Sequence, residues 1–417
     1  MTTSVAAELP KGEWRSGWSL VLAAALGFAS GTIHFHSLGV MIVPLEEAMG
    51  WSRSEISSGL LINSIVAGII TFFAGTVADR IGARRVAVPG MVLYASGLVA
   101  IGLSGPTLLS WYVAWVFLAA FQAMASAVIF ALAIVSRFSK HRGLALGVML
   151  SGSGLTIAAV PPIALWLTET WGWQAAYFGL ATIVILIPLP FVLAFFRDAH
   201  DLARAGSIQS TTTVAKDARA AKAGLDIRPA LAGRHVWRLA ISFFMIVIGV
   251  ATFLVHLQPM LIGSGVSAMN AAFIASVVGP SLIVGRLVTG ALLDRLSTPL
   301  VAGTIALMPA ICCLLMLGFD VSVAVAILIA ILLGIATGAE GDVLTYIIAE
   351  YVGEKNYGAV YSIIACLIGF GFGFAPYLAG LTYDVFGSYS PLLKANTVAA
   401  LVAAWILYTL GRAPEFD

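Results

Sequence analysis

Apolar residues in this chain fall into long runs broken by short polar turns, without the strict alternation that a half-buried strand requires. A helix needs about 20 mostly apolar residues to cross a hydrocarbon layer of roughly 30 Å. Twelve runs qualify, at residues 18–44, 57–78, 86–104, 108–135, 143–167, 173–196, 236–262, 271–292, 299–319, 321–346, 357–382 and 391–411. The pattern predicts an all-α membrane protein of 12 transmembrane helices. One long polar stretch, residues 197–235, separates six helices from six. It is rich in Ala, Thr, Lys, Arg and Asp and reads as a flexible linker with a short surface helix. The expected organisation is a bundle over 1–196, a linker over 197–235 and a second bundle over 236–417. The polar first 17 residues lack a small-residue cleavage site. The apolar run after them is too long for a signal peptide, so it should remain as the first helix.

The two halves repeat each other. Gly75-Thr76-Val77-Ala78-Asp79-Arg80 is echoed by Gly290-Ala291-Leu292-Leu293-Asp294-Arg295, 215 residues later. Arg142-Gly143-Leu144-Ala145 is matched by Tyr357-Gly358-Ala359-Val360, and Trp171-Gly172-Trp173 by Phe386-Gly387-Ser388-Tyr389, both at the same offset. One period shared by three separate segments implies two pseudo-symmetric six-helix bundles in the same orientation.

Composition agrees with this picture: 60% of the 417 residues are hydrophobic, 10% are charged, and the mean hydropathy is +1.00. A soluble domain could not cover itself with so few polar groups. The net charge of +2 is uninformative, but its placement is not. With both termini on one side, 19 of the 22 basic residues gather there, including Lys11, Arg15, Arg80, Arg84, Arg85, Arg137, Lys140, Arg142, Arg295, Lys355, Arg412 and those of the central loop. Only Arg53 and Lys394 fall on the other side, and Arg286 lies within a span. The excess of Lys and Arg makes the terminal side cytoplasmic. Cys312, Cys313 and Cys366 sit in apolar runs without metal-ligand spacing and read as small buried side chains.

Charges inside the apolar runs are the candidate chemistry. Arginine stays protonated at any relevant pH and is costly to bury in hydrocarbon, so Arg286 needs an anion from the protein or from a passenger. At 1.5 Å per residue it lies about 12 Å from Asp294, inside the bilayer. Asp342 reaches a similar depth, eight residues before Glu350. Either Asp342 or Glu340 can partner Arg286. Such a carboxylate either couples proton uptake to substrate, because burial and a guanidinium pull its proton affinity in opposite directions, or serves as a permanent ion pair. His34, His36 and His256 also lie within spans, as proton-responsive groups or as hydrogen-bonded packing. Asn63, Gln122, Tyr357 and Tyr361 are polar candidates for a cavity wall. Runs of small residues, Ser151-Gly152-Ser153-Gly154 and Gly369-Phe370-Gly371-Phe372-Gly373, allow close and sliding helix contacts. No nucleotide-binding loop, catalytic motif or metal-ligand pattern stands out, so no enzyme activity, cofactor, metal or nucleic-acid partner is expected.

The segment Gly75-Thr76-Val77-Ala78-Asp79-Arg80-Ile81-Gly82-Ala83-Arg84-Arg85 resembles the signature loop of the major facilitator superfamily, with its weaker copy at Asp294-Arg295. The resemblance implies a cytoplasmic gate at these residues, with Asp79 capping a neighbouring helix and pairing with arginines to latch the halves. Pro44–Ser57, Arg137–Ala145, Ala339-Glu340-Gly341-Asp342 and Asn356-Tyr357-Gly358 resemble bacterial members of the monocarboxylate transporter and oxalate/formate antiporter families. The likeness implies that Arg286 binds a substrate carboxylate. It also places His36 where animal monocarboxylate carriers have a lysine, and Tyr361 where oxalate carriers line their pocket. Leu282 stands where those animal carriers have an aspartate. Ile364 stands where oxalate carriers have a second cation, which argues for one carboxylate rather than two. The expected function is a secondary active carrier in the bacterial cytoplasmic membrane, working as a monomer and moving a small monocarboxylate with a proton. An organic-anion exchanger is the alternative. A transporter-like sensor would need a cytoplasmic output module that a loop of some 39 residues does not supply.

Overall fold

A computed structural model describes residues 12–198, 201, 233–318, 322–353, 356–411 and 413–414. Most of the expected linker, together with Lys11, Lys355 and Arg412, lies outside the described residues. The helices are α1 Glu13–Ser30, α2 Ile33–Met49, α3 Arg53–Ile81, α4 Ala83–Gly102, α5 Leu108–Gln122, α6 Ala127–Arg137, α7 Arg142–Leu150, α8 Gly152–Leu186, α9 Pro188–Phe195, α10 Arg234–Gly263, α11 Ala268–Leu293, α12 Thr298–Gly318, α13 Val323–Val352, α14 Tyr357–Phe386 and α15 Ser390–Tyr408.

Length and composition mark eleven candidate spans among the described residues. One of them, Arg142–Phe195, has 54 residues and would extend about 80 Å as a single helix. It turns back instead at Gly172, whose φ of 85° and ψ of 165° are open to glycine and strained for other residues. Among the described residues the chain thus makes 12 crossings in two six-helix bundles, and two large buried cores form around them, with a small third cluster at Ala67, Ala119 and Ala123. One core runs from Leu20 to Phe196 and takes in Val255 and Ala272 of the other half, and the second takes all its buried residues from Val236 onward except Ile157.

The 215-residue period reaches into the turns. Gly50 and Gly265 both have positive φ, as do Gly172 and Gly387. Ser52 caps α3 by accepting from the Glu55 amide, and Ser267 caps α11 by accepting from Asn270. Pro44 and Pro259 occupy equivalent places in α2 and α10, and Pro161 and Pro376 in α8 and α14.

Four expected helices are interrupted, two of them only briefly, at Ser151 between α7 and α8 and at Ile187 between α8 and α9. The first crossing breaks between α1 and α2 at Gly31-Thr32, and the fourth breaks at the 3-10 turn Ala123–Ala125 between α5 and α6. These last two breaks meet, since a side chain on Gly31 would collide with the Ala125 carbonyl. Freed carbonyls at membrane depth must find donors within the protein. Thr156 Oγ1 donates to Ala29 O at 2.7 Å, and Gln122 Nε2 to Gly31 O at 3.5 Å. Apolarity alone does not register such interruptions, because side chains and not backbone geometry make a run look continuous.

The halves touch at glycines. Gly39 of α2 lies on the Val255 carbonyl of α10, Gly154 of α8 on Gly279 of α11, and Gly373 and Gly380 of α14 on Leu60, Ser64 and Arg53 of α3. Further along these seams, towards Asp79 and Asp294, Gly68, Gly143, Gly147, Gly290 and Gly369 have nothing opposite them. The bundles are therefore closed at the Arg53 end and parted at the Asp79 end. Off the bundle end, the Glu13 carboxylate collects the amides of Ser139, Lys140 and His141 and the Ser139 hydroxyl, which hold its pKa down at about 2.

Within the second bundle, Gly334 and Gly338 of α13 press on the α11 backbone at Val278, Leu282 and Arg286. Gly338→Val should force the two helices apart at a cost of about 1–3 kcal/mol. Gly341→Ala, which faces open space three residues on, should shift stability by no more than about 0.5 kcal/mol. Unfolding of the purified variants in detergent checks both.

Candidate functional site

The small-residue contact of α13 with α11 builds the site. Because Gly334 and Gly338 are four residues apart, they share one face, and the backbones approach closely enough for short side chains to meet. Asp342, one turn beyond Gly338, comes within 3.5 Å of Arg286, Oδ1 to Nη1. The side chains are 14% and 26% exposed, so the pair lies on the parted seam and not in a sealed core. The fit is incomplete. Arg286 Nε and Nη1 are buried and have no hydrogen-bond partner among the described residues. Glu340, two residues before Asp342, is 6% exposed, and its Oε1 is likewise without a partner.

Two tyrosines of α14 complete the cluster. Tyr357 and Tyr361 stack with centroids 5.7 Å apart and planes 22° off parallel. Both lie beside Thr345 of α13, and Tyr361 is also within electrostatic reach of Arg286, Asp342 and Glu340. Tyr346, one turn after Asp342, donates to Asp294 Oδ1 at 3.1 Å, which links the site to the second signature aspartate. Thr345, Tyr346 and the Gly334–Gly338 pair belong to no motif that marks them in the sequence. Only the glycine spacing was a signal that could have revealed this contact.

The other expected residues stand elsewhere. His36 lines a small cleft with Ile157, Pro161, Leu254, Leu257 and Ala275, also bounded by Val278, eight residues or about 12 Å along α11 from Arg286. His256 bonds to Pro376 O at 2.9 Å, and Pro376 is 15 residues or about 22 Å along α14 from Tyr361. His34 bonds to Tyr94. Asn63 keeps a buried Oδ1 without a partner among the described residues, and Gln122 serves the break in the first crossing. Asp79, Arg80, Arg85 and Arg295 are exposed. Asp79 makes no hydrogen bond or ion pair among the described residues, so the expected latch at this end is not made. Arg84 turns within its own bundle to Leu193 O and Asp198, Gly75 rests against Val128, and Gly82, at φ 102°, makes the tight turn from α3 to α4. Ile364 is fully buried. Among the described residues no cluster of His, Cys, Asp and Glu could hold a metal ion.

Two like-oriented six-helix bundles, parted on one side around a buried charge cluster, are an architecture found in membrane transporters. The chain belongs to the Major Facilitator Superfamily, whose family model matches residues 19–341. It is 26% identical over 407 residues to monocarboxylate transporter 13 of Bos taurus, covering 97% of this chain and 91% of that one. It is 28% identical over 301 residues to monocarboxylate transporter 11 of Mus musculus, covering 70% and 63%. The MFS-type transporter YcxA of Bacillus subtilis matches 180 residues at 27% identity, 42% of this chain and 43% of that one. A solved bacterial homologue of the human lysosomal transporter Spinster, in an inward-facing and occupied conformation, shares the fold. Its TM-score is 0.69 at 15% identity, over 96% of this chain and 97% of that one.

Breaking a fully buried ion pair costs about 3–5 kcal/mol, and an exposed pair about 0–1 kcal/mol. Mostly but not fully buried, the Arg286–Asp342 pair should fall between: Asp342→Ala should destabilise the protein by about 1–3 kcal/mol in detergent unfolding. The double substitution Arg286→Met, Asp342→Leu should restore most of that loss.

Proposed function

We propose that the protein carries a small monocarboxylate together with a proton by alternating access of its two bundles. The observation that carries this reading is the guanidinium of Arg286, charged, at membrane depth, and with two nitrogens unsatisfied although Asp342 is near. A guanidinium with free donors matches a carboxylate in a forked, two-bond geometry. Tyr361 stands beside it as a further polar contact. One cation without a companion at Ile364 suits a single carboxylate, and the names of the mammalian relatives, monocarboxylate transporters 13 and 11, support the same class.

Glu340 is the proton site in this reading. A carboxylate buried without a partner is held in the membrane at least cost when protonated, and the arrival of a substrate anion beside Arg286 makes a proton easier to hold nearby. Asp342 keeps Arg286 in place when the site is empty. His256, bound into the closed end, is left to structure. One chain encloses the site, so a monomer suffices. The excess of Lys and Arg at the Asp79 end supports a cytoplasmic location for that end and both termini, in a bacterial cytoplasmic membrane, with the site facing the cytoplasm in the present arrangement.

Uptake of labelled lactate into proteoliposomes should rise with an inward proton gradient and fall about 10- to 100-fold in Arg286→Ala, the loss expected for charge-assisted hydrogen bonds. Glu340→Gln should retain exchange of internal for external substrate and lose the response to the gradient. Gradient-independent exchange by the unaltered protein would replace symport with antiport, and uptake unaffected by Arg286→Ala would remove the site assignment.

A further inference from the structure

A hydrogen-bonded cross-bundle cluster lies at the end opposite the signature loop, around a residue the proposed transport reaction does not use. Arg53, at the first turn of α3, is 8% exposed. Its Nε donates to Glu46 of its own bundle at 2.8 Å, and its Nη1 donates to the Tyr389 hydroxyl of the other bundle at 2.7 Å. The guanidinium lies 3.6 Å above the Tyr383 ring. Asp384 accepts from the Arg53 and Ser54 amides at 3.0 and 2.9 Å. The first two amides of α3, which no residue of that helix can satisfy, are thus capped from the opposite half of the molecule. Gly380 makes this possible, since any side chain there would strike the Arg53 backbone.

The network runs inward through His256. Pro376 O can only accept, so Nε2 of His256 carries the hydrogen; Nδ1 then accepts from Tyr389, whose oxygen accepts from Arg53. Ser57 Oγ lies 3.3 Å from Nε2. One directed chain, Arg53 to Tyr389 to His256 to Pro376, stitches α3, α15, α10 and α14 together. Asp384 is exposed and the Glu46 side chain is 26% exposed, so water can take over these charges when the halves part. Such a closure can open without stranding an ion in hydrocarbon.

We propose that Arg53, with Glu46, Tyr383, Asp384 and Tyr389, is the gate that closes the transport pathway at the end opposite Asp79, and that its parting admits that side to the central site. The gate does not depend on which substrate or ion the protein carries, and neither does its test. In a background with Cys312, Cys313 and Cys366 replaced by alanine, Ala275→Cys places a reporter in the cleft beneath the gate. A membrane-impermeant maleimide is added to either face of reconstituted vesicles. With the gate intact, labelling from the Arg53 face should be slow. Arg53→Gln and Tyr389→Phe should each raise it roughly threefold or more, the population change expected on losing one partly exposed pair, with labelling from the Asp79 face falling in step. If Arg53→Gln does not fold, Asp384→Asn at its exposed position takes its place. Unchanged labelling from the Arg53 face in folded variants overturns the proposal, and so does an equal rise from both faces, which would mean a loosened fold rather than a gate.

Discussion

A guanidinium that cannot lose its proton, set in a helix that has no other charge at that depth, is the constraint on which the centre of this molecule depends. Arg286 cannot be satisfied by α11 itself. Its anion comes from α13, and Asp342 reaches it because Gly334 and Gly338 remove the side chains that would otherwise hold the two backbones apart. The contact leaves two guanidinium nitrogens without a hydrogen-bond partner among the described residues, and Glu340, two residues before Asp342 on α13, is buried with its Oε1 likewise unsatisfied. A site with charge to spare on one residue and an unpaired carboxyl on the next is poised for a ligand more than for stability. A purely structural pair would be expected to saturate its hydrogen bonds.

The two halves share a scaffold but not a chemistry. Positive-φ glycines, serine caps and helix prolines recur at the 215-residue period, because each half must make the same turns and kinks. The signature Asp-Arg pair recurs, as Asp79-Arg80 and Asp294-Arg295, but the charges of the central site and of the closed end do not. Arg286 corresponds to Thr71, Asp342 to Ala127, Glu340 to Ala125, and Arg53 to Ala268. Symmetry supplies two bundles able to rock against each other, and the single-copy charges decide what lies between them and how one end is held shut. Placement follows from cost. The pair at membrane depth is short of hydrogen-bond partners, while the cluster at the closed end is hydrogen-bonded from both halves yet within reach of water.

Several expectations were read from residue types correctly placed along the chain but wrongly placed in space. Asp79 has the surroundings of a latch in its sequence, yet it stands exposed because the bundles part at that end. His256 has the depth of a proton relay, yet its ring is bound between Tyr389 and Pro376 far along α14 from Tyr361. Arg53, which the sequence marks only as a basic residue on the sparsely charged side, is enclosed by two tyrosines and two carboxylates drawn from both halves.

Sequence alone determined what is local and what is counted: the apolar runs, their number, the repeat, the family and the one arginine too deep to be ignored. These follow from side-chain solubility and chain length, which need no knowledge of neighbours. Tertiary structure alone decided which carboxylate meets Arg286, where helices break and are repaired by Thr156 and Gln122, and which end of the seam is closed. Those outcomes turn on backbone approach at particular glycines and on contacts between residues hundreds of positions apart, such as Arg53 with Tyr389. The free energies separating one arrangement of two packed bundles from another are small differences between many such contacts, so a linear pattern does not rank them.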